Sequence, residues 1–198
     1  RELPHTMPVV MWGHGDFETL KEIGFTHHLI NLIDYRKVWA AGEPTEAESS
    51  RRIDSVSASL DEHLRQGIGA VTNTYPGRWV SRTSELKDTY GRVNREGTLY
   101  DAENVCALFP EVQAFAYNTG ASVAETFGEF PGLQASLVHS EVRDHSNLCF
   151  HDHDRQAFRD FAGYEIPEEV LTKGGLNYAR IDNFPMDRII PDDDRILT

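Results

Sequence analysis

The chain has 198 residues, of which 39% are hydrophobic and 26% charged, the profile of a soluble globular protein rather than a disordered or fibrous one. Its formal net charge is −13 and its pI is near 5.0, without a basic run, so nucleic-acid phosphates and anionic membranes are repelled. We therefore expect no nucleic-acid partner, whereas a neutral substrate such as a carbohydrate meets no repulsion.

The ends of the chain and its apolar runs bear on membrane insertion and completeness. No apolar run approaches the roughly 20 residues that span a bilayer, so we expect no membrane insertion. The first residues, RELPHTMPVV, lack the apolar region of a signal peptide. Because the chain opens almost on a strand and closes at DDDRILT, which is typical of a helix start, we expect it to be part of a longer chain.

The first elements along the chain are a strand and a short helix. The apolar run PVVMW predicts a buried strand over residues 8–12, followed by the turn GHGD. Asp16 is placed to cap a helix over Phe17 to Ile23, and Gly24 to end it.

Two more strands follow, separated by a long helix. THHLINLID predicts the second strand, which ends in Asp34, and IGAVTNTY predicts the third, with Asn73 and Tyr75 near its carboxyl end. Between them, apolar residues recur every three or four positions from about 46 to 66, which predicts an amphipathic helix that ends at Gly67.

The second half of the chain is less regular. Residues 76–110 are too long for a connection and predict an irregular functional insertion. A helix is predicted over about 110–127, and LQASLVHSE over 133–141 is the fourth strand. Short helices are predicted over 156–161 and, after Pro167, over about 168–171.

Alternating strands and helices with continuously apolar strands predict a parallel sheet with crossover helices. The turn GHGDFE lacks the third glycine of a dinucleotide-binding fingerprint, which favours a (β/α)8 barrel of the TIM type over a doubly wound fold. A whole barrel needs about 250 residues, so residues 1–198 would be a single partial domain with strands one to four. Polar residues follow the strands, as at the catalytic face of a barrel: His14, Asp16, Asp34, Asn73, Tyr75, Glu141, Arg143 and Asp144.

Glu141 is the candidate catalytic residue. It ends the fourth strand, where barrel enzymes hold their catalytic groups, and a partly buried glutamate with a raised pKa suits general acid chemistry. The alternative is a structural ion pair with Arg143 or with a neighbouring helix.

Aromatic side chains near the strand ends and in the insertion favour a sugar ligand. The flat faces of Tyr75 and Trp79 can stack on the C–H face of a sugar ring while amides and carboxylates bind its hydroxyls. For Trp12, inside the first strand, core packing is an equal alternative. Trp79 and Tyr100 lie in the insertion, where an exposed ring needs a functional reason.

The run CFHDHD raises a metal hypothesis, since imidazoles and carboxylates bind zinc or manganese. Neighbouring loop residues seldom converge on one ion, however, and no distant ligand is evident, so we expect no metal and no cofactor. Asp152 and Asp154 are instead predicted to be N-caps of the next helix. His27 and His28, at the start of the second strand, are assigned structural roles.

Three segments together carry a family resemblance: GHGDFETLKEIGFTH, NTYPG and LVHSEVRD. The chain resembles the N-terminal half of a barrel glycoside hydrolase, and more closely the glycosidase-like barrel proteins of bacterial polysaccharide degraders. The resemblance implies that Glu141 is the acid/base and that the nucleophile, a carboxylate on strand seven, lies beyond Thr198. It also implies secretion or a periplasmic location.

Our leading interpretation is a glycoside hydrolase that acts on a polysaccharide or oligosaccharide. Glu141 is its acid/base, and the remaining polar strand-end residues and Trp79 bind the sugar or orient Glu141. Two alternatives stay open: a carbohydrate-binding barrel without catalysis, and a metal-dependent hydrolase.

Overall fold

The structure is a computed structural model that describes residues 7–13, 15–101, 105–138 and 147–168. Contacts within the chain group it into two compact units. The sheet unit comprises Arg1–Pro76 and Gln113–Glu141, and the cysteine unit comprises Gly77–Val112 and Val142–Thr198. The insertion predicted over 76–110 therefore supplies a large part of the cysteine unit.

The sheet unit contains four parallel strands in the order of the sequence, β1 (Val10–Met11), β2 (His27–Ile30), β3 (Gly69–Thr74) and β4 (Leu133–Val138). This confirms the predicted parallel α/β sheet with its four strands. β1 and β4 lie at its two edges, so within the described residues the sheet is not closed into a barrel. Because all four strands run the same way, their carboxyl ends lie along one edge of the sheet.

Seven helices occur within the described residues. Those wholly or largely in the sheet unit are α1 (Phe17–Ile23), α2 (Tyr35–Ala41), α3 (Ser50–Gln66) and α6 (Pro110–Phe127), and those of the cysteine unit are α4 (Pro76–Arg82), α5 (Ser84–Tyr90) and α7 (Asp152–Ala162). None of them is long and apolar enough to cross a membrane.

The predicted helix boundaries are confirmed where a cap was visible in the sequence. α1 begins after Asp16, whose carboxylate accepts a hydrogen bond from Thr19 N, and ends at Gly24 with φ of 102°. α3 likewise ends at Gly67, which has φ of 70°. Left-handed backbone of this kind favours glycine because a Cβ would be strained there.

Two boundaries around β2 were predicted wrongly. The strand ends at Ile30 rather than at Asp34, because Asp34 is the N-cap of α2, a helix that the sequence analysis did not predict. The long helix begins at Ser50 rather than near residue 46. At the first of these boundaries, the cap formed by the Asp34 side chain favours the helix start over a longer strand.

The insertion is more regular than predicted. It contains α4 and α5, followed by two isolated antiparallel bridges that pair Gly91 with Val105 and Val93 with Leu99. α7 is longer than the predicted helix over 156–161. The helix predicted over 168–171 extends outside the described residues.

The core of the sheet unit lies between α3, α6 and the strands. Phe127 and Leu60 are fully buried and pack with Leu32, Ala70 and Leu133. Every residue of β3 is buried, as expected of a central parallel strand covered on both faces. The buried core therefore holds β3 and β4 in place, and with them the edge of the sheet at which both strands end.

Candidate metal centre and strand-end residues

Two candidate sugar-binding carboxylates at the carboxyl edge of the sheet act as helix caps. Asp16 accepts hydrogen bonds from Thr19 N at 3.0 Å and from Thr19 Oγ1 at 2.7 Å, and these bonds lower the pKa of Asp16. Asp34 accepts from Arg36 N at 3.0 Å and from Lys37 N at 3.2 Å. Both carboxylates are exposed, and sugar binding by them stays a prediction.

Asn73 and Tyr75 form a hydrogen-bonded group at the end of β3. The amide Nδ2 of Asn73 donates to the hydroxyl of Tyr75, and Tyr75 N donates to the hydroxyl of Tyr35 at 2.7 Å. Burial raises the pKa of Tyr35. Asn73 Oδ1 is buried and has no hydrogen-bond partner within the described part of the chain. This oxygen is therefore an acceptor that still needs a donor.

The other predicted site residues are Trp79 and four residues that the structure does not describe. His14, Glu141, Arg143 and Asp144 lie outside the described residues. β4 is described to Val138, so its direction is fixed up to a point shortly before Glu141 in the sequence. Trp79 is half-buried on α4 in the cysteine unit. Its predicted role in sugar binding is untested.

A group of thiols, imidazoles and one carboxylate lies in the cysteine unit. We call it the Cys/His cluster; its members are Cys106, Cys149, His151, His153 and Asp154. The bridge between Gly91 and Val105 and the bond from Cys106 N to Tyr90 O at 2.8 Å position Cys106. The bond from Phe150 N to Val93 O at 3.1 Å places the segment before α7 beside it.

The donor atoms of the Cys/His cluster are close together. Those of Cys106, His151, His153 and Asp154 all lie within 4.8 Å of one another. Cys106 Sγ lies 3.2 Å from His153 Nε2 and 3.4 Å from both carboxylate oxygens of Asp154. Asp154 Oδ2 lies 3.3 Å from a ring nitrogen of each histidine, and Cys149 Sγ lies 3.0 Å from His151 Nδ1.

The two thiols differ in their affinity for a proton. A hydrogen bond from the Cys106 thiol lowers the pKa of Cys149 to about 6. The same bond, together with burial, raises the pKa of Cys106. At neutral pH the pair therefore supplies one thiolate, the form of cysteine that binds metals.

The contacts of 3.2–3.4 Å within the cluster suit a tetrahedral metal ion. Zinc bonds of about 2.0–2.3 Å to nitrogen, oxygen and sulfur imply ligand atoms about 3.3–3.8 Å apart. Mixed thiolate, imidazole and carboxylate donors suit zinc in particular. Cys106 is 1% exposed, and Phe109 packs edge-on against both imidazoles, with ring centroids 5.2 Å and 4.7 Å away. A buried thiol and imidazole rings packed against Phe109 favour a structural metal site over an open catalytic one.

The sequence analysis did not predict the Cys/His cluster. Asp152 and Asp154 are not N-caps, because His151 occupies that position and both aspartates lie in the first turn of α7. In that turn His151 and Asp154 face the same side, as residues three apart do. The distant donor group is Cys106, which the Gly91–Val105 bridge places beside α7. The sequence shows two cysteines outside any CxxC pair, and this pattern does not predict that Cys106 approaches α7.

No protein-family model and no curated protein sequence matches the chain. Among solved structures, the chain is similar to a cold-adapted β-galactosidase from Rahnella sp. R3, with a TM-score of 0.50 and 20% sequence identity. The similarity covers 74% of this chain and 21% of the β-galactosidase. It shows that the fold is glycoside hydrolase-like, and that the chain spans about a fifth of the length of that enzyme.

Proposed function

We propose that the chain is the N-terminal part of a (β/α)8-barrel glycoside hydrolase. The observation that carries the proposal is the glycosidase-like fold, in which four parallel strands end along one edge. Catalytic residues of barrel enzymes lie at that edge. The unclosed sheet accords with a chain that supplies strands one to four of eight.

In this proposal Glu141, at the sequence position that ends β4, is the general acid/base. The caps Asp16 and Asp34 supply two carboxylate acceptors after β1 and β2, and Asn73 supplies a buried polar group at the end of β3. Carboxylates and amides of this kind bind sugar hydroxyls. His14, Tyr75, Trp79, Arg143 and Asp144 complete the proposed sugar-binding set.

The substrate class that we propose is a polysaccharide or oligosaccharide, handled by a secreted or periplasmic protein. A neutral glycan suits a chain with a net charge of −13 better than an anionic ligand does. The alternative is a carbohydrate-binding barrel without catalysis, which would use the same edge of the sheet.

The test is hydrolysis of a glycan panel by the full-length protein and by Glu141→Gln. Loss of a general acid typically lowers turnover by about 10²–10⁴-fold, so we expect a loss in that range. Glu125→Gln, at an exposed position on α6, is the matched control and should keep full activity. Unchanged turnover in Glu141→Gln would exclude the assigned role, and saturable glycan binding without hydrolysis would favour the alternative.

A second function is favoured by the Cys/His cluster: binding of a structural zinc ion. The observation that carries it is the convergence of four side chains whose donor atoms lie within 4.8 Å of one another. They lie in a unit whose described strand pairing consists of isolated bridges. Cys106, His151, His153, Asp154 and the adjoining Cys149 offer more donors than the four that zinc needs. The ion would tie the start of α7 to the segment after the Gly91–Val105 bridge.

Elemental analysis of protein purified without chelator tests the metal proposal. We expect about one zinc per chain, and its loss in Cys106→Ser, because a hydroxyl is a much poorer zinc ligand than a thiolate. Asp152→Asn, in the same turn of α7 but outside the cluster, should retain the metal. Equal metal in all three proteins, or none in any, would contradict the proposal. Loss of glycan hydrolysis on chelation with the fold intact would instead favour a metal-dependent hydrolase.

A further inference from the structure

Cys106 and Cys149 lie side by side in the Cys/His cluster. Both are free thiols in the structure, and a hydrogen bond joins their side chains. Because a hydrogen bond joins neighbouring atoms, no other group separates the two sulfur atoms. Two thiols in such contact are the starting point for a disulfide bond.

The backbone brings the two cysteines together, because both of their segments are hydrogen-bonded to residues 90–93. Cys106 N donates to the carbonyl oxygen of Tyr90 at 2.8 Å. Phe150, which follows the second cysteine, donates from its backbone N to the carbonyl oxygen of Val93 at 3.1 Å. Main-chain hydrogen bonds, rather than a bound ion, therefore set the approach of the two thiols.

The two thiols differ in their access to solvent. Cys106 is 1% exposed, whereas Cys149 is half-buried. Both line a cavity of about 510 Å³, together with the rings of Phe158 and Tyr164. This volume is many times the space that one water-sized molecule needs, so a small oxidant such as hydrogen peroxide fits beside Cys149. Redox-sensitive cysteines have this arrangement, an accessible thiol next to a second one that completes the disulfide.

A disulfide and a metal ion compete for Cys106. This residue is one of the four whose donor atoms converge within 4.8 Å. Metals bind the thiolate form of cysteine, and a sulfur in a disulfide has no thiolate form. A bond between the sulfur atoms of Cys106 and Cys149 would therefore remove both sulfur donors and leave two imidazoles and one carboxylate.

We propose that Cys106 and Cys149 form a reversible disulfide whose formation, driven by a peroxide, releases the metal ion of the Cys/His cluster. The reduced cluster binds zinc, and the oxidised cluster is cross-linked instead. Either link ties the segment after the Gly91–Val105 bridge to the region around the start of α7. Release of the ion rests on the proposed zinc function, whereas disulfide formation rests on the thiol pair alone.

The reaction is balanced with hydrogen peroxide as the oxidant. Cys149 gives up its proton, its sulfur attacks one peroxide oxygen, and the O–O bond breaks to give a sulfenic acid and one water molecule. The sulfur of Cys106 then loses its proton and attacks the sulfenic sulfur, whose S–O bond breaks to release a second water. The two thiols are oxidised by two electrons in all, and the peroxide is reduced to water.

Peptide mapping without prior reduction tests the disulfide. Full-length protein, reduced and freed of metal by a chelator, is treated with hydrogen peroxide and digested with a protease. We expect a peptide pair that links Cys106 to Cys149, lighter by two hydrogen atoms than the separate peptides, and that dithiothreitol separates. Unmodified cysteines, or cysteines found as sulfinic acid or joined to other thiols, would overturn the proposal. Because the wild-type protein is used, misfolding of a variant cannot obscure the result.

Release of zinc is measured on the zinc-loaded protein. Peroxide should lower the bound zinc at least about tenfold, since the disulfide removes the thiolate ligand. Dithiothreitol followed by zinc should restore the bound metal, because a disulfide is reducible whereas a sulfinic acid is not. Zinc that stays bound after oxidation, or that reduction fails to restore, would refute the release of the ion.

Two variants and the two measurements keep the proposals apart. Cys149→Ser lacks the accessible thiol and should give no linked peptide, whereas Asp152→Asn, outside the cluster in the first turn of α7, should behave as the wild type. If the linked peptide forms but the reduced protein binds no zinc, the zinc function fails and the disulfide stands. If zinc binds but no linked peptide forms, the disulfide fails and the zinc function stands.

Discussion

The two units of the chain are stabilised in different ways. The sheet unit has a continuous apolar core in which Phe127, Leu60 and Leu32 are fully buried against the strands. In the cysteine unit, α4 contributes the buried Val80, whereas neither α5 nor α7 contributes a buried residue. Apolar burial is the main driving force of folding, and the first unit has more of it than the second.

Polar contacts add to the smaller core of the cysteine unit, which includes the buried Val80 and Phe150. Arg92 donates to the carbonyl oxygens of Val105 and Asn147. Arg155 donates to those of Phe150 and Arg95, and the guanidinium groups of Arg95 and Arg155 lie 4.7 Å and 5.5 Å from the centre of the Phe150 ring. These contacts join segments that are distant in sequence, as does the Cys/His cluster.

This contrast explains why a metal suits the second unit. Small units that bury little apolar surface usually need a disulfide or a metal to fold. Metal binding contributes directly to folding free energy because the unfolded chain lacks the site. A zinc ion in the Cys/His cluster would therefore stabilise the cysteine unit. The stability of the sheet unit would depend on its apolar core instead.

The largest effect of a substitution is expected in the core of the sheet unit. Phe127→Ala removes a fully buried ring and should lower the free energy of unfolding by about 3–5 kcal/mol, measured by urea denaturation. Phe161→Ala, at a ring that is 92% exposed in the cysteine unit, is the control and should change it by less than about 0.5 kcal/mol. Similar losses in both variants would mean that the two units do not differ in this way.

A smaller effect is expected where the backbone of the sheet unit is closely packed. A Cβ at Gly132 would clash with the carbonyl oxygen of Leu60, so Gly132→Ala should cost about 2–3 kcal/mol. Gly120→Ala in α6 meets no atom within 4 Å and should be neutral or stabilising by up to about 1 kcal/mol. Thermal unfolding of the two variants measures the difference; equal shifts would refute the close approach.

The smallest of the three effects is expected for a single polar contact in the cysteine unit. Arg155→Gln loses hydrogen bonds to two carbonyl oxygens and should cost about 1 kcal/mol. Arg159→Gln, on the same helix with an exposed guanidinium, should leave stability unchanged. If Arg155→Gln were as harmful as Phe127→Ala, the arginine contacts rather than a metal would be the main support of the cysteine unit.

The sequence predicted the sheet unit better than the cysteine unit, for a physical reason. Strands β3 and β4 and helices α1 and α6 carry local signals, namely apolar periodicity, an Asp16 cap and terminal glycines. The Cys/His cluster depends on Cys106 approaching α7, a contact set by isolated bridges that leave no periodic pattern. Asp34 is a second example, because the sequence pattern does not distinguish the N-cap of a helix from the last residue of a strand.

Hydrogen exchange of the zinc-loaded and the chelator-treated protein tests the difference between the units most directly. We predict that chelation speeds exchange at least tenfold at Cys106, Phe150 and Arg155, whose amides donate to the carbonyl oxygens of Tyr90, Val93 and His151 around the Cys/His cluster and at the start of α7. The amides of β3, including Ala70 and Thr72, should keep their protection. Unchanged exchange in the cysteine unit after the metal is removed would contradict a metal-supported second unit.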